Sequence, residues 1–376
     1  MARSARLISK RRRRNSAIQL LDESEHGVEK RKVESDKRRR SLSEGSEPSG
    51  GKLALENPQQ GHKGKLVGWV ELSEVTLYRE GTFSLCFTAI LNDAEVVVKL
   101  LKSDAQLIDE RAEDLFDTEI AVVLGGGNGM DGRSRHLVNM VGVGREERGG
   151  FVVLEKLTMT LEERLGNCRS SGGLGLSFPW WGGAKKKEDP WKDDLQLRMK
   201  TCLELARGLE HCHTGGLKMG GCVIHRDFNP KNLGFRDDGE AVVFDFGLSR
   251  VLENYTAVSN TMPRAMTGEV GSCRYQAPEV SCHSPYGAQS DVWSWAVVAW
   301  EIGTLQLPYG EITTVEYLCR VVEGGERLPL DGGWGFDEEF KGLLRECWEE
   351  NMNKRPSMVE VVKRMESIMK IEGLKG

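Results

Sequence analysis

Hydrophobic positions are sparse and unpatterned over residues 1–65, which contain no Trp, Phe or Tyr and are rich in Ser, Arg, Glu, Gly and Gln. Such a segment cannot bury enough apolar surface to offset its ordering entropy, so it reads as a disordered tail. From Val67 the texture changes. The stretch V-G-W-V-E-L-S-E-V-T-L-Y-R-E-G alternates as a strand does, and L-C-F-T-A-I-L (85–91) and E-V-V-V-K-L-L (95–101) follow at strand length. A helical stretch over about 105–124 comes next, and M-V-G-V-G (140–144) and F-V-V-L-E (151–155) add two strands. After Leu157 the spacing is mainly helical, with helices expected over 195–212, 289–303, 314–322, 336–348 and 358–369. No internal repeat breaks this order. The pattern predicts an α+β architecture, with a small five-stranded sheet lobe carrying one helix (66–157) and a larger, mainly α-helical lobe (158–372).

Composition sharpens the division. The chain of 376 residues carries a net charge of −5, but residues 1–65 hold +8 and the remainder −13. An acidic body argues against nucleic-acid binding as its main business. No apolar run approaches 18 residues, so no transmembrane segment is expected. The basic clusters at 10–14 and 30–40 sit beside Ser16, Ser41 and Ser43. They fit a nuclear localisation signal flanked by phosphosites, or a solvated basic tail. A transit peptide stays open because no acidic residue precedes Asp22, whereas a secretory signal lacks its apolar core. Cytoplasm, nucleus or both are the expected compartments. Nine cysteines without a C-x-x-C pair point to free, packed thiols in reducing surroundings.

The densest chemistry lies in H-R-D-F-N-P-K-N (225–232) and F-D-F-G-L (244–248), whose aspartates are 18 residues apart. Phosphoryl transfer needs one carboxylate to meet a hydroxyl, with a second carboxylate and an amide to hold Mg²⁺ on the phosphates. These runs resemble the H-R-D-L-x-x-x-N catalytic loop and D-F-G motif of the eukaryotic protein kinases. The resemblance covers essentially the whole globular part and implies a bilobal protein-kinase-like fold with an antiparallel sheet. It implies that Asp227 is the base or orienting group, and that Asn232 and Asp245 are the metal ligands. Lys99, closing V-V-V-K, matches the lysine that pairs the α- and β-phosphates. Glu119 matches its salt-bridge partner, and is preferred to Glu113 because H-L-V-N-M-V-G-V (136–143) follows at the expected distance.

Further matches are A-P-E (277–279), D-V-W-S-W (291–295) and C-W-E-E-N-M-N-K-R-P-S-M (347–358). With G-S-C-R-Y-Q-A-P-E, they look closest to the tyrosine-kinase-like group of serine/threonine kinases. Glu279 and Arg355 would then form a buried, structural ion pair. The resemblance implies ATP with Mg²⁺ (or Mn²⁺) and a protein Ser/Thr hydroxyl as substrate. Adenine would lie on the backbone near Glu155 and Leu157, with Leu154 as gatekeeper. Arg226 would meet a phosphate placed by an upstream kinase on the following segment. Tyr255, Ser259, Thr261 and Thr267 are the candidates there, with Thr267 preferred.

Departures from the family pattern matter as much. Of the glycine-rich loop only Gly81 remains in R-E-G-T-F-S-L-C, with Arg79 and Ser84 at the other glycine positions, Cys86 for the valine, and Phe83 kept at the tip. Asn229 stands where serine/threonine kinases usually carry lysine, and Lys231 is the candidate to supply the missing charge. Ser272 stands where those enzymes have threonine, which favours a Ser/Thr substrate. The departures also motivate a different reading, a pseudokinase or scaffold that binds nucleotide weakly or not at all. The cluster of His211, Cys212 and His213 resembles packing before the catalytic loop, because zinc-ligand spacing is absent. A Trp-rich insert at about 167–193 reads either as a partner- or membrane-binding loop or as an insertion covering the lobe.

Overall fold

The computed structural model describes residues 66–80, 84–101, 119–120, 122, 134–146, 149–170, 190–214, 221–252 and 273–373. The tail at 1–65, Gly81, Phe83, most of the 105–124 helix and most of the 167–193 insert lie outside them, as does the segment bearing Tyr255, Ser259, Thr261, Thr267 and Ser272.

Alternating apolar positions build a five-stranded sheet from β1 (Ser73–Glu80), β2 (Ser84–Leu91), β3 (Ala94–Leu101), β4 (Met140–Glu146) and β5 (Gly149–Glu155). The spatial order is β1-β2-β3-β5-β4, every pairing antiparallel. Val96, Val98 and Leu100 of β3 are buried with Phe151 and Val153 on one face. The two-residue period therefore sends Lys99 to the opposite face, which borders the helical lobe. The strand expected from Val67 starts only at Ser73, because Trp69–Glu71 form a 3-10 turn. The Trp69 ring packs edge-on against Phe87 and Phe151, and this anchoring outweighs local alternation.

The large lobe begins with β6 (Met159–Thr160) and the helices α1 (Leu161–Ser170), α2 (Pro190–Asp193) and α3 (Leu195–His213). Asp194 caps α3 by accepting the Leu197 N–H at 3.1 Å. Four three-residue strands follow: β7 (Cys222–Ile224), β8 (Leu233–Phe235), β9 (Ala241–Val243) and β10 (Arg250–Leu252). β8 lies between β6 and β9, while β7 pairs with β10. The remaining helices are α4 (Pro278–Ser281), α5 (Gln289–Thr304), α6 (Thr314–Tyr317), α7 (Glu338–Cys347) and α8 (Met358–Gly373). Every residue of α5 is buried, including Trp293, Trp295 and Trp300, so this helix is the axis around which the lobe packs. The helix expected over 314–322 is divided, since α6 passes into a π-helical turn at Leu318–Glu323.

Two described parts of the expected insert are ordinary helix, α1 to Ser170 and α2 from Pro190. Trp191 is core. Its Nε1 donates to Thr201 Oγ1 at 3.0 Å, and the Arg164 guanidinium lies 4.8 Å from its ring. All nine cysteines are free thiols, and burial pushes the Cys222 thiol up to about 12, which makes it unreactive.

Candidate active site

The cleft between the lobes is framed by β3, β5 and the segments on either side of β8 and β9. On the sheet side, Lys99 Nζ donates to Glu119 Oε1 at 2.6 Å and Oε2 at 2.8 Å, and to Asp245 Oδ1 at 2.7 Å. Burial alone would pull the Lys99 ammonium down, but Glu119 and Asp245 overcome it and hold its pKa above the usual lysine range. Burial raises the Glu119 carboxyl, against the pull of Lys99. Burial also pushes Asp245 upward, but Lys99, His225 and the Gly247 N–H leave it below the ordinary carboxylate value. The Asp245 side chain stays 43% exposed while Glu119 is 5% exposed. Asp245 therefore faces the cleft and Glu119 serves Lys99. Gly247 leaves room for this approach: a Cβ there would crowd Lys99 Nζ at 3.1 Å and Asp245 Oδ1 at 3.2 Å.

On the helical side, Asp227 is gripped by amides. Asn229 Nδ2 donates to Asp227 Oδ1 at 2.7 Å, and Asn232 Nδ2 donates to Asp227 Oδ2 at 2.8 Å. With its nitrogen committed, Asn232 has its amide oxygen left as a hard donor, and Asp245 supplies a carboxylate. These are hard oxygen donors of the kind Mg²⁺ takes.

The loop holding Asp227 is bent by backbone that L-residues seldom adopt. Arg226 has φ +70° and Asp245 φ +61°, each at a cost on the order of 1–3 kcal/mol. Asp291, in the first turn of α5, offsets the strain at Arg226. It accepts the backbone N–H of His225 at 2.8 Å and of Arg226 at 3.0 Å, and its Oδ2 also accepts from His213 Nε2 at 2.9 Å. His225 Nε2 donates to the Phe244 carbonyl at 3.2 Å, which ties the two strained positions together. Sequence reasoning named Asp291 only within a motif and treated His213 as packing. An acid in the first turn of a largely apolar helix was the available signal.

The other expected residues are placed as follows. Glu155 spends its carboxylate on Arg236, with contacts at 2.7 and 3.0 Å, and on the Asn139 N–H at 2.8 Å, so any ligand contact falls to its backbone. Leu157 lies over Gly234, where a Cβ would meet its Cδ1 at 2.8 Å. Leu154 is buried between Val97 and Met140. Arg226 Nε donates to the Tyr286 hydroxyl at 2.7 Å and its guanidinium reaches the Leu248 carbonyl at 3.3 Å. Lys231, the residue expected to supply charge, lies at the edge of this group. Its Nζ lies 3.7 Å from Glu162 Oε1, both side chains are about half exposed, and Asn229 reaches Asp227. Away from the cleft, Arg355 and Glu279 form a bidentate pair at 2.6 and 2.9 Å, with the arginine fully buried.

A two-lobed α+β fold with this set of groups in its cleft defines a protein kinase. Residues 75–365 match the family model for protein tyrosine and serine/threonine kinases, and the chain belongs to that family. Serine/threonine/tyrosine-protein kinase HT1 of Arabidopsis thaliana is 26% identical over 312 residues, covering 81% of this chain and 69% of that protein. Serine/threonine-protein kinase STY17 of the same plant is 32% identical over 182 residues, 48% of this chain and 29% of its own length. Dual specificity protein kinase shkE of Dictyostelium discoideum is 30% identical over 184 residues, 48% of this chain and 24% of its own. The chain thus spans less than a third of the length of the latter two relatives.

Proposed function

We propose that this protein transfers the γ-phosphoryl group of ATP to serine and threonine hydroxyls of protein substrates. The observation that carries the reading is Lys99 Nζ bridging Glu119 and Asp245, because this fixes a cation and an exposed carboxylate side by side. Lys99 would bind the α- and β-phosphates. Asn232 and Asp245 would hold Mg²⁺, which when bound neutralises charge on the phosphates. Asp227 orients the incoming hydroxyl and accepts its proton as the oxygen bonds to phosphorus and the bond to ADP breaks. Phosphoryl transfer asks for positioning and electrostatics more than covalent chemistry, and a site built from fixed ion pairs and amides suits it.

Preference for Ser/Thr is supported by Ser272 in the segment before A-P-E and by serine/threonine in the names of relatives such as STY17. HT1 and shkE, named for wider specificity, set tyrosine as the alternative. The test is transfer from labelled ATP to a generic protein and a peptide library, followed by phosphoamino-acid analysis. Phosphoserine and phosphothreonine are expected. Phosphotyrosine as the main product would overturn the specificity, and no transfer at all would overturn the activity.

A further inference from the structure

Asn229 is 4% exposed, and both ends of its amide are in use. Its Nδ2 donates to Asp227 Oδ1 at 2.7 Å and to the Asp227 carbonyl at 3.0 Å. Its Oδ1 accepts the Lys231 N–H at 3.0 Å, capping the 3-10 turn Pro230–Asn232. Asn232 mirrors it from the far end of that turn, donating to Asp227 Oδ2 at 2.8 Å and to the same carbonyl at 2.9 Å. One amide therefore grips each oxygen of the carboxylate, and the turn between them sets their spacing.

We propose that Asn229 is a positioning residue for Asp227, doing with a neutral amide what a lysine at this place would do with a charge. This rests on the phosphotransfer reading above. Hydrogen bonds to a charged group are the stronger kind, and an amide held at both ends has little freedom left to lose. The two amides fix the plane of the carboxylate. Lys231, whose backbone N–H is the cap's donor, sends its side chain to Glu162 instead.

The donor and the cap are separable. Asn229→Ser keeps an oxygen able to cap the turn but is too short to reach the carboxylate, whereas Asn229→Lys keeps a donor and loses the cap acceptor. Steady-state kinetics and thermal melts on the full chain decide between the two roles. The expected result for Asn229→Ser is a kcat at least about tenfold lower, an ATP KM within about twofold of wild type, and a melting temperature lowered by no more than a few degrees. Asn229→Lys should recover most of the lost kcat even where it melts earlier. Should Asn229→Ser fail to fold, Asn229→Thr, which also keeps a cap oxygen and is too short to reach the carboxylate, carries the same expectation. An active wild type with wild-type kcat in Asn229→Ser, or with Asn229→Lys no better than Asn229→Ser, overturns this inference alone. A wild type that transfers no phosphate overturns the functional reading instead, and this inference with it.

Discussion

On the sheet side of the cleft Lys99 is fixed by full charges, within 2.8 Å of two carboxylates. On the helical side Asp227 is fixed by neutral amides from Asn229 and Asn232, and its loop hangs from the buried carboxylate of Asp291. The difference follows the chemistry each side would meet. Phosphates bring several negative charges, and a cation held between carboxylates keeps its proton and its place. A hydroxyl brings no charge, so what counts opposite it is the direction of a carboxylate, which amides can set. Charge anchors one wall, and geometry anchors the other.

Removing the cation breaks the first wall most severely. Lys99→Met strands Glu119, whose side chain is 5% exposed, and losing one partner of a buried ion pair costs roughly 3–5 kcal/mol. Denaturant melts should show that loss together with loss of phosphate transfer; an unchanged midpoint would mean the ion pair holds nothing. Arg355→Ala sharpens the comparison, because it strands Glu279 (11% exposed) outside the cleft and should cost a similar roughly 3–5 kcal/mol. In that variant the ATP KM should stay near wild type at a temperature where the protein is folded.

A pH effect comes next. Burial lowers the His136 imidazole from 6.5 to about 4, against the opposing pull of Glu240 and of the Ala241 carbonyl, so the folded protein keeps this ring neutral. Between those two pH values the unfolded chain binds a proton that the folded one refuses, so stability falls as pH drops through that window. The loss is on the order of 3 kcal/mol. Melts from pH 7 to 4 should show the decline, and His136→Asn should flatten it. The smallest effect is expected at Lys231. An exposed pair such as Lys231 with Glu162 contributes roughly 0–1 kcal/mol. Lys231→Ala should keep kcat within about threefold, and a larger fall would return this lysine to the phosphoryl group.

The sheet side was legible in the sequence, since Val96, Val98 and Leu100 at a two-residue period fix where Lys99 points, and the strands fall close to where alternation puts them. Much of the helical side was not. β7 to β10 have three residues each, too few for any period to register. The grip of Asn229 on Asp227 depends on a 3-10 turn begun by Pro230, and the strained backbone at Arg226 is held by Asp291, 65 residues further along the chain. Trp191 read as part of an insertion because its partners, Thr201 and Arg164, lie on two other helices. Long-range partners of this kind leave no local pattern.

Incorporation of labelled phosphate from ATP by wild type and by Asp227→Asn, purified side by side, tests the central claim most directly. The exchange keeps the shape of the side chain and removes the charge that meets the hydroxyl. Transfer should fall by roughly 10²–10⁴-fold, while the protein still folds and binds nucleotide. Equal incorporation by the two proteins would contradict the account, and would make this chain a scaffold with a kinase fold.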